Sequence, residues 1–345
     1  MATIEVRNLT KRYGEVLAND DLSFSVESGE VFGYLGPNGA GKTTTIRTLM
    51  GFQSPTAGTA TVLGHDVRDE SELIEAKRDV GYLPSNPAFD ENVTGREILD
   101  LYGEVRGDER RDELLEIFDP PLDRPVREYS SGNRQMLGIV QAFMHDPDLA
   151  ILDEPTGGLD PLKQQRFNEF VREEQRSGTT VFMSSHILSE VRRVCDRVGI
   201  IRDGRLVTTE SVEGLMHRSG KVVHLTVADG VDDGEFDLDG VHDLTARQVD
   251  GETLGLEAAA PGSGGGGGGD GTSASTTVTE LSFTYTGDVN ALLVRLCDHD
   301  VLELDVEEAP LDEVFMRFYG DEAGGADDAT GGDGATDREG GVADA

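Results

Sequence analysis

Short apolar runs punctuate the N-terminal part of the chain, among them Val31-Phe32-Gly33-Tyr34-Leu35, Leu149-Ala150-Ile151-Leu152 and Thr180-Val181-Phe182-Met183. Runs this short and this uniformly apolar predict central strands of a parallel sheet covered on both faces. Between them the spacing turns helical. The segment Thr44-Thr45-Ile46-Arg47-Thr48-Leu49-Met50 predicts one helix, and Met136, Ile139, Val140, Phe143 and Met144 mark the buried stripe of another. Thr94 and Glu97 form a capping box ahead of Ile98, Leu101 and Tyr102, which repeat at helical spacing up to Gly107. Strand and helix signals thus alternate, predicting a doubly wound α/β core over residues 1–217 with an inserted helical segment. From Lys221 onward the runs are shorter and alternate. Residues 222–227, 277–285 and 301–306 read as half-buried strands, with helices at 289–297 and 311–319, giving a small α+β domain over residues 218–320. The glycine-rich stretch 261–273 and the acidic tail 321–345 are too polar to bury a core, so both are expected to be disordered.

Chemistry concentrates at the ends of the apolar runs. Gly36-Pro37-Asn38-Gly39-Ala40-Gly41-Lys42-Thr43 satisfies GxxxxGK[ST] between a strand and a helix. In such a loop the glycines let consecutive backbone N–H groups, through Thr44, turn inward around a polyphosphate. Lys42 then reaches the outer phosphates, and the Thr43 hydroxyl can hold Mg²⁺. The second strand ends abruptly in Asp153 and Glu154. Asp153 is expected to hold the same Mg²⁺, and Glu154 to face the water that attacks the γ-phosphate. A third segment, Tyr129-Ser130-Ser131-Gly132-Asn133-Arg134-Gln135, opens a helix with hydroxyls and free N–H donors, yet the chain's own phosphate loop needs no second anion site.

In that order these segments resemble the ATP-binding subunit of an ABC transporter, whose P-loop core the α/β reading fits. Ser130, Gly132 and Gln135 match the family's signature heptad, while Ser131 replaces its usual glycine and Asn133 its usual glutamine. The resemblance implies further roles. Gly157-Gly158-Leu159-Asp160 is similar to the loop that crosses between protomers, His186 to the histidine that senses the γ-phosphate, and Tyr13 to the aromatic residue that stacks on adenine. Ser85 stands where the family usually has a glutamine at the metal site, and its hydroxyl is too short for the same contact, so this loop is not expected to reach the metal unless Asn86 or a bridging water substitutes. Val191-Arg192-Arg193-Val194-Cys195-Asp196-Arg197 is similar to phrases in the subfamily that powers drug, bacteriocin or toxin exporters, and Pro310-Leu311-Asp312-Glu313-Val314-Phe315 to their C-terminal extension.

One phosphate loop and one signature segment make half of a working pair. The resemblance therefore implies two copies, or this chain and a second ATPase subunit, meeting head to tail around two ATP molecules. It also implies a separate integral membrane permease, placing the chain in the cytoplasm on the inner face of the membrane. Phe89, Ile98, Leu101 and Tyr102 either receive a short permease helix or are simply core.

Composition sharpens this picture in two ways. Acidic residues number 67 against 30 basic ones, a net charge of −37, so nucleic acid would be repelled. This weighs against the alternative of a soluble ABC-type ATPase acting on nucleic acid or ribosomes. Lysine occurs only at 11, 42, 77, 163 and 221, and arginine supplies the remaining positive charge, a pattern that points to a concentrated-salt cytoplasm and a halophilic source. Cys195 and Cys297 lack metal-ligand spacing and are expected to stay reduced. No apolar stretch is long enough to span a bilayer or to serve as a secretion signal.

Overall fold

The computed structural model describes residues 2–228, 238–250 and 277–308. The chain divides into two compact units, Met1–Arg218 and Ser219–Ala345. The first opens with a hairpin of β1 (Ala2–Tyr13) and β2 (Val16–Glu27), followed by β3 (Val31–Leu35) and α1 (Lys42–Leu49). Next come β4 (Ala57–Val62), β5 (His65–Asp66), α2 (Glu70–Ala76) and β6 (Val80–Leu83). A helical insert of α3 (Gly95–Arg106), α4 (Arg111–Phe118) and α5 (Ser131–Phe143) leads to β7 (Leu149–Asp153). Then α6 (Pro161–Ser177), β8 (Thr180–Ser185), α7 (Leu188–Val194), β9 (Arg197–Arg202), β10 (Arg205–Ser211) and α8 (Val212–Ser219) follow.

Two sheets result. One is antiparallel in the order β2-β1-β4-β5, and the other runs β10-β9-β3-β8-β7-β6, with only β10 antiparallel to its neighbour. Every residue of β3, β7 and β8 is buried, which is why their central positions are apolar instead of alternating, with the polar Asp153, Thr180, Ser184 and Ser185 confined to strand ends. Phe24 of the antiparallel sheet stacks on Phe32 and Phe182 of the parallel one, at centroid separations of 5.8 and 6.1 Å. These rings join Ile4, Leu22 and Val62 in a core shared by both sheets. Register then sets up the chemistry. Leu35 pairs with Ser185 and Asp153 with Ser184, so the carboxyl ends of β3, β7 and β8 lie level. That edge of an open parallel sheet is where loops can gather around a ligand.

The helical insert is fastened at both ends. Thr94 and Glu97 form the capping box at the start of α3, and Gly107 ends the helix with a φ of 98°. Arg106 donates to the carbonyls of Lys77, Arg78 and Val80. Arg110, ahead of α4, makes a bidentate pair at 2.6 and 2.7 Å with Glu174 of α6, whose side chain is almost fully buried. Such a fork-to-carboxylate pair fixes orientation as well as distance.

The second unit holds β11 (Lys221–Val227), β12 (Val241–Asp250), β13 (Thr277–Tyr285), α9 (Val289–Leu296) and β14 (Val301–Glu308). Its antiparallel sheet, ordered β12-β13-β11-β14, packs Val223, Leu225, Leu281 and Phe283 against Leu292 and Leu296 of α9. Asp288 caps that helix by accepting from the Asn290 N–H at 3.0 Å. The expected helix at 311–319, the glycine-rich stretch 261–273 and the tail 321–345 lie outside the described residues.

Candidate active site

The loop from β3 into α1 is a cradle made by backbone. Gly39 and Gly41 adopt φ of 84° and 106°, the left-handed region that favours glycine. A Cβ at Gly41 would also come within 2.5 Å of the Ala18 carbonyl oxygen. No side chain caps α1, whose first N–H groups therefore face the loop with the positive end of the helix dipole. Gly36, Pro37 and Ala40 hold the loop's shape, since Gly36 N donates to Ser185 O at 3.2 Å and Ala40 N to Pro37 O at 3.2 Å. Asn38, Gly39, Gly41, Lys42, Thr43 and Thr44 line a cavity of about 420 Å³ together with Glu154, Val16 and Asp203. Lys42 is buried, and its ammonium donates to Gly36 O at 2.7 Å and Pro37 O at 3.2 Å.

Asp153 and Glu154 meet this cradle from the end of β7. Asp153 is 1% exposed, and its carboxylate accepts from the Thr43 hydroxyl at 3.0 Å and the Ser184 hydroxyl at 2.6 Å. Glu154 leaves the strand with a φ of 49°, which for a non-glycine residue costs on the order of 1–3 kcal/mol. The turn is pinned by its N–H, which donates to the Ser184 carbonyl at 3.2 Å and hydroxyl at 3.1 Å. The Glu154 carboxylate thereby stands 3.5 Å from Lys42 Nζ and 3.3 Å from His186 Nδ1. The structure thus brings Lys42, Thr43, Asp153, Glu154 and His186 into one constellation. Ser184 and Asn19, which the sequence reading passed over, belong to its support. Buried Asn19 donates to Thr45 Oγ1 at 2.9 Å beneath the first turn of α1.

The serine-glycine segment lies apart from this cavity. Ser130 caps α5, its hydroxyl accepting from Asn133 N at 3.2 Å, and Ser131 is exposed on the first turn. Gly132 is pressed against the loop that follows Glu154, where an added Cβ would come within 2.7 Å of Gly158 O. Gln135 donates to Pro155 O at 2.8 Å from the same helix. None of residues 130–133 lines the cradle's cavity. Asp160 caps α6 by accepting from Lys163 N at 3.0 Å, a bond that holds its carboxyl below the usual range. Tyr13 ends β1, donates to Gln53 and carries the Lys11 ammonium 5.1 Å from its ring centroid, but it does not line the cavity. Ser85 and Asn86 are exposed beyond β6.

A larger groove of about 730 Å³ lies beside the helical insert, lined by Phe52, Phe89, Tyr102, Val105, Arg106 and His145 among others. Ile98 is buried and Leu101 exposed, and neither lines the groove. Burial, with Arg106 nearby, pushes the His145 imidazole down to about 4.

Comparison with known proteins agrees with this geometry. The family model described as ABC transporter matches residues 19–157. The bacitracin transport ATP-binding protein BcrA of Enterococcus faecalis is 36% identical over 233 residues, 66% of this chain and 75% of that protein. The Nod factor export ATP-binding protein I of Sinorhizobium fredii is 39% identical over 329 residues, 92% of this chain and 86% of that protein. A solved ATP-binding subunit of an ABC transporter superposes with a TM-score of 0.57 at 32% identity, over 63% of this chain and 92% of the other. The fold and cradle define a P-loop ATPase. The chain belongs to the ATP-binding proteins of ABC transporters, the subunits that bind and hydrolyse ATP to power transport. Subunits of this family work as dimers with membrane permeases, and among the described residues no helix is long and apolar enough to cross a membrane.

Proposed function

We propose that the chain drives export of a drug, peptide or toxin through a separate membrane permease by closing head to tail on a second ATPase subunit around two ATP molecules. The observation that carries this reading is the separation within one copy. Lys42, Thr43 and Glu154 line the cradle's cavity, whereas Ser130, Ser131, Gly132 and Asn133 stand at a helix start outside it. In a head-to-tail pair they would meet the partner's bound nucleotide, with Asp160 at the junction. The exporter assignment is supported by likeness to the bacitracin and Nod factor proteins. The groove beside the helical insert is the proposed seat of the permease, Phe89 and Tyr102 lining it. Residues 218–320 form a proposed accessory domain whose described part holds no cluster of potential metal ligands.

The residues fit Mg²⁺. Thr43 and Asp153 offer hard oxygen donors 3.0 Å apart, and among the described residues no group of three or more His, Cys, Asp or Glu side chains is placed to hold a metal ion by itself. That donor set suits a small cation that keeps water and phosphate oxygens as its other ligands. When bound there, the cation would neutralise charge on the transferred phosphoryl group. Lys42 binds the outer phosphates, the open N–H groups of α1 bind the inner ones, and Tyr13 turns from Gln53 to stack on adenine. Glu154 accepts the proton of the attacking water, and His186, beside it, orients the γ-phosphate. Glu154→Gln keeps the cradle but cannot take that proton. It should bind ATP, fail to turn over and elute as a stable dimer with ATP in size exclusion; near-normal hydrolysis would refute the assignment.

The charge excess carries a second proposal, a halophilic source in which concentrated salt screens self-repulsion to a few ångströms at about 1 M. Circular dichroism across a KCl series tests it, and an equally folded chain in dilute buffer would end it.

A further inference from the structure

Two loops deliver the proposed catalytic pair: the turn after β7, which carries Glu154 and runs on through Thr156 to Asp160, and the turn after β8, which carries His186. A single carboxylate joins them. Glu190, in the first turn of α7, accepts from the Thr156 hydroxyl at 2.6 Å with one oxygen and from the Ser185 hydroxyl at 2.7 Å with the other. Ser185 in turn accepts from Ile187 N at 2.9 Å, so the strap also fixes the backbone on the far side of His186. Thr156 and Ser185 are 4% and 1% exposed, leaving little water to replace the carboxylate as acceptor. Both bonds are short and charge-assisted, the stronger kind of hydrogen bond.

We infer that Glu190 is a positioning residue for hydrolysis, holding Glu154 and His186 in register by tying together the loops that bear them. It touches neither of those side chains among the contacts seen, and it does not line the cradle's cavity. Its effect therefore falls on turnover and not on nucleotide capture. The same strap reaches the loop that leads to Gly158 and Asp160, so a shift at either loop is passed to the other. The inference rests on the roles proposed for Glu154 and His186.

The test compares the full chain with its Glu190→Ala, Glu190→Asp and Thr156→Val variants, reading kcat and KM for ATP and the Kd for ATP by fluorescence titration. Glu190→Ala should lower kcat roughly tenfold to a hundredfold, because small misplacements of reacting groups are costly. Its KM and Kd should stay within about twofold of wild type, the split that marks loss of transition-state alignment. Thr156→Val should lower kcat by part of that factor, and the Glu190→Ala/Thr156→Val double variant should fall no further than Glu190→Ala, since one interaction cannot be lost twice. Wild-type kcat in Glu190→Ala, or a loss confined to KM, overturns the inference. Should Glu190→Ala fail to fold, Glu190→Asp decides. A carboxylate one methylene shorter cannot reach both hydroxyls, so unchanged kcat in that variant sinks the strap. Glu154→Gln separates the two readings. If it turns over, the catalytic assignment itself fails; if it is inert while Glu190→Ala runs at full speed, only the strap fails.

Discussion

The cradle and the serine-glycine helix start, both in the first unit, differ in how far one copy of the chain completes them. Around the cradle, Lys42 and Thr43 at the start of α1 already engage Glu154 and Asp153 at the end of β7, beside a cavity that Lys42, Thr43 and Glu154 line. At the helix start, Ser130 caps its own turn, Gly132 leans on Gly158 and Ser131, though exposed, has its hydroxyl beside the same Gly158. The first arrangement is preorganised for a ligand, and preorganised polar groups are what electrostatic catalysis needs. The second is preorganised only as a surface. In the proposed head-to-tail pair, such a split would couple chemistry to association, because the ligand that fills one half would supply the contact for the other.

Breaking the cradle should have the largest effect. Lys42→Ala removes a buried ammonium, and loss of charge-assisted bonds worth about 1.5–3 kcal/mol should weaken ATP binding roughly tenfold to a hundredfold, measured by titration calorimetry. Normal ATP affinity in that variant would remove the cradle from the account. Altering the other half should leave binding alone. Gly132→Ala forces a Cβ against Gly158 O, so turnover should fall roughly tenfold while the Kd for ATP of a single copy stays at the wild-type value. A parallel loss of affinity would mean that the two regions are one site within a single copy. The smallest effect is expected away from both. His145 titrates lower in the folded chain than its ordinary value near 6.5, so the unfolded state binds the extra proton between about pH 6.5 and 4. Stability should fall as pH drops through that window, by about 2 kcal/mol once screening at the groove mouth is allowed for. In urea melts His145→Gln should flatten that slope, and an unchanged slope would assign it to the carboxylates.

Legibility in the sequence followed locality. The strands β3, β7 and β8 were readable because a strand buried on both faces carries an unbroken apolar run through its middle, and the Thr94–Glu97 capping box because its partners are three residues apart. The antiparallel sheet of the first unit was not, nor was β12 in the second. In β1 the alternation is broken by register shifts between Val6 and Leu9 and by a φ of 49° at Asn8, so its period slips. In β12 charged and polar residues such as Asp243, Arg247 and Gln248 dilute the apolar pattern. The cradle's support was hidden for another reason. Ser184, Asn19 and Glu190 act through partners that only the folded register brings near, and an isolated serine, asparagine or glutamate carries no mark of that. For the helical insert, spacing announced α3 but not its inward face, which is Ile98 and Leu99 rather than Leu101. At the serine-glycine segment the residues were picked out by resemblance, and the structure adds that Gly132 is fixed there by close approach to Gly158.

The most direct measurement mixes two disabled chains. Lys42→Ala has an impaired cradle and Gly132→Ala an impaired helix start, so each alone should hydrolyse ATP roughly tenfold or more below wild type. Their equimolar mixture can assemble pairs in which one interface joins an intact cradle to an intact helix start. The account predicts that ATPase activity in the mixture rises well above the sum of the separate chains and depends on total protein concentration. A mixture no more active than its parts, together with full-speed hydrolysis by a wild-type sample held monomeric, would contradict it.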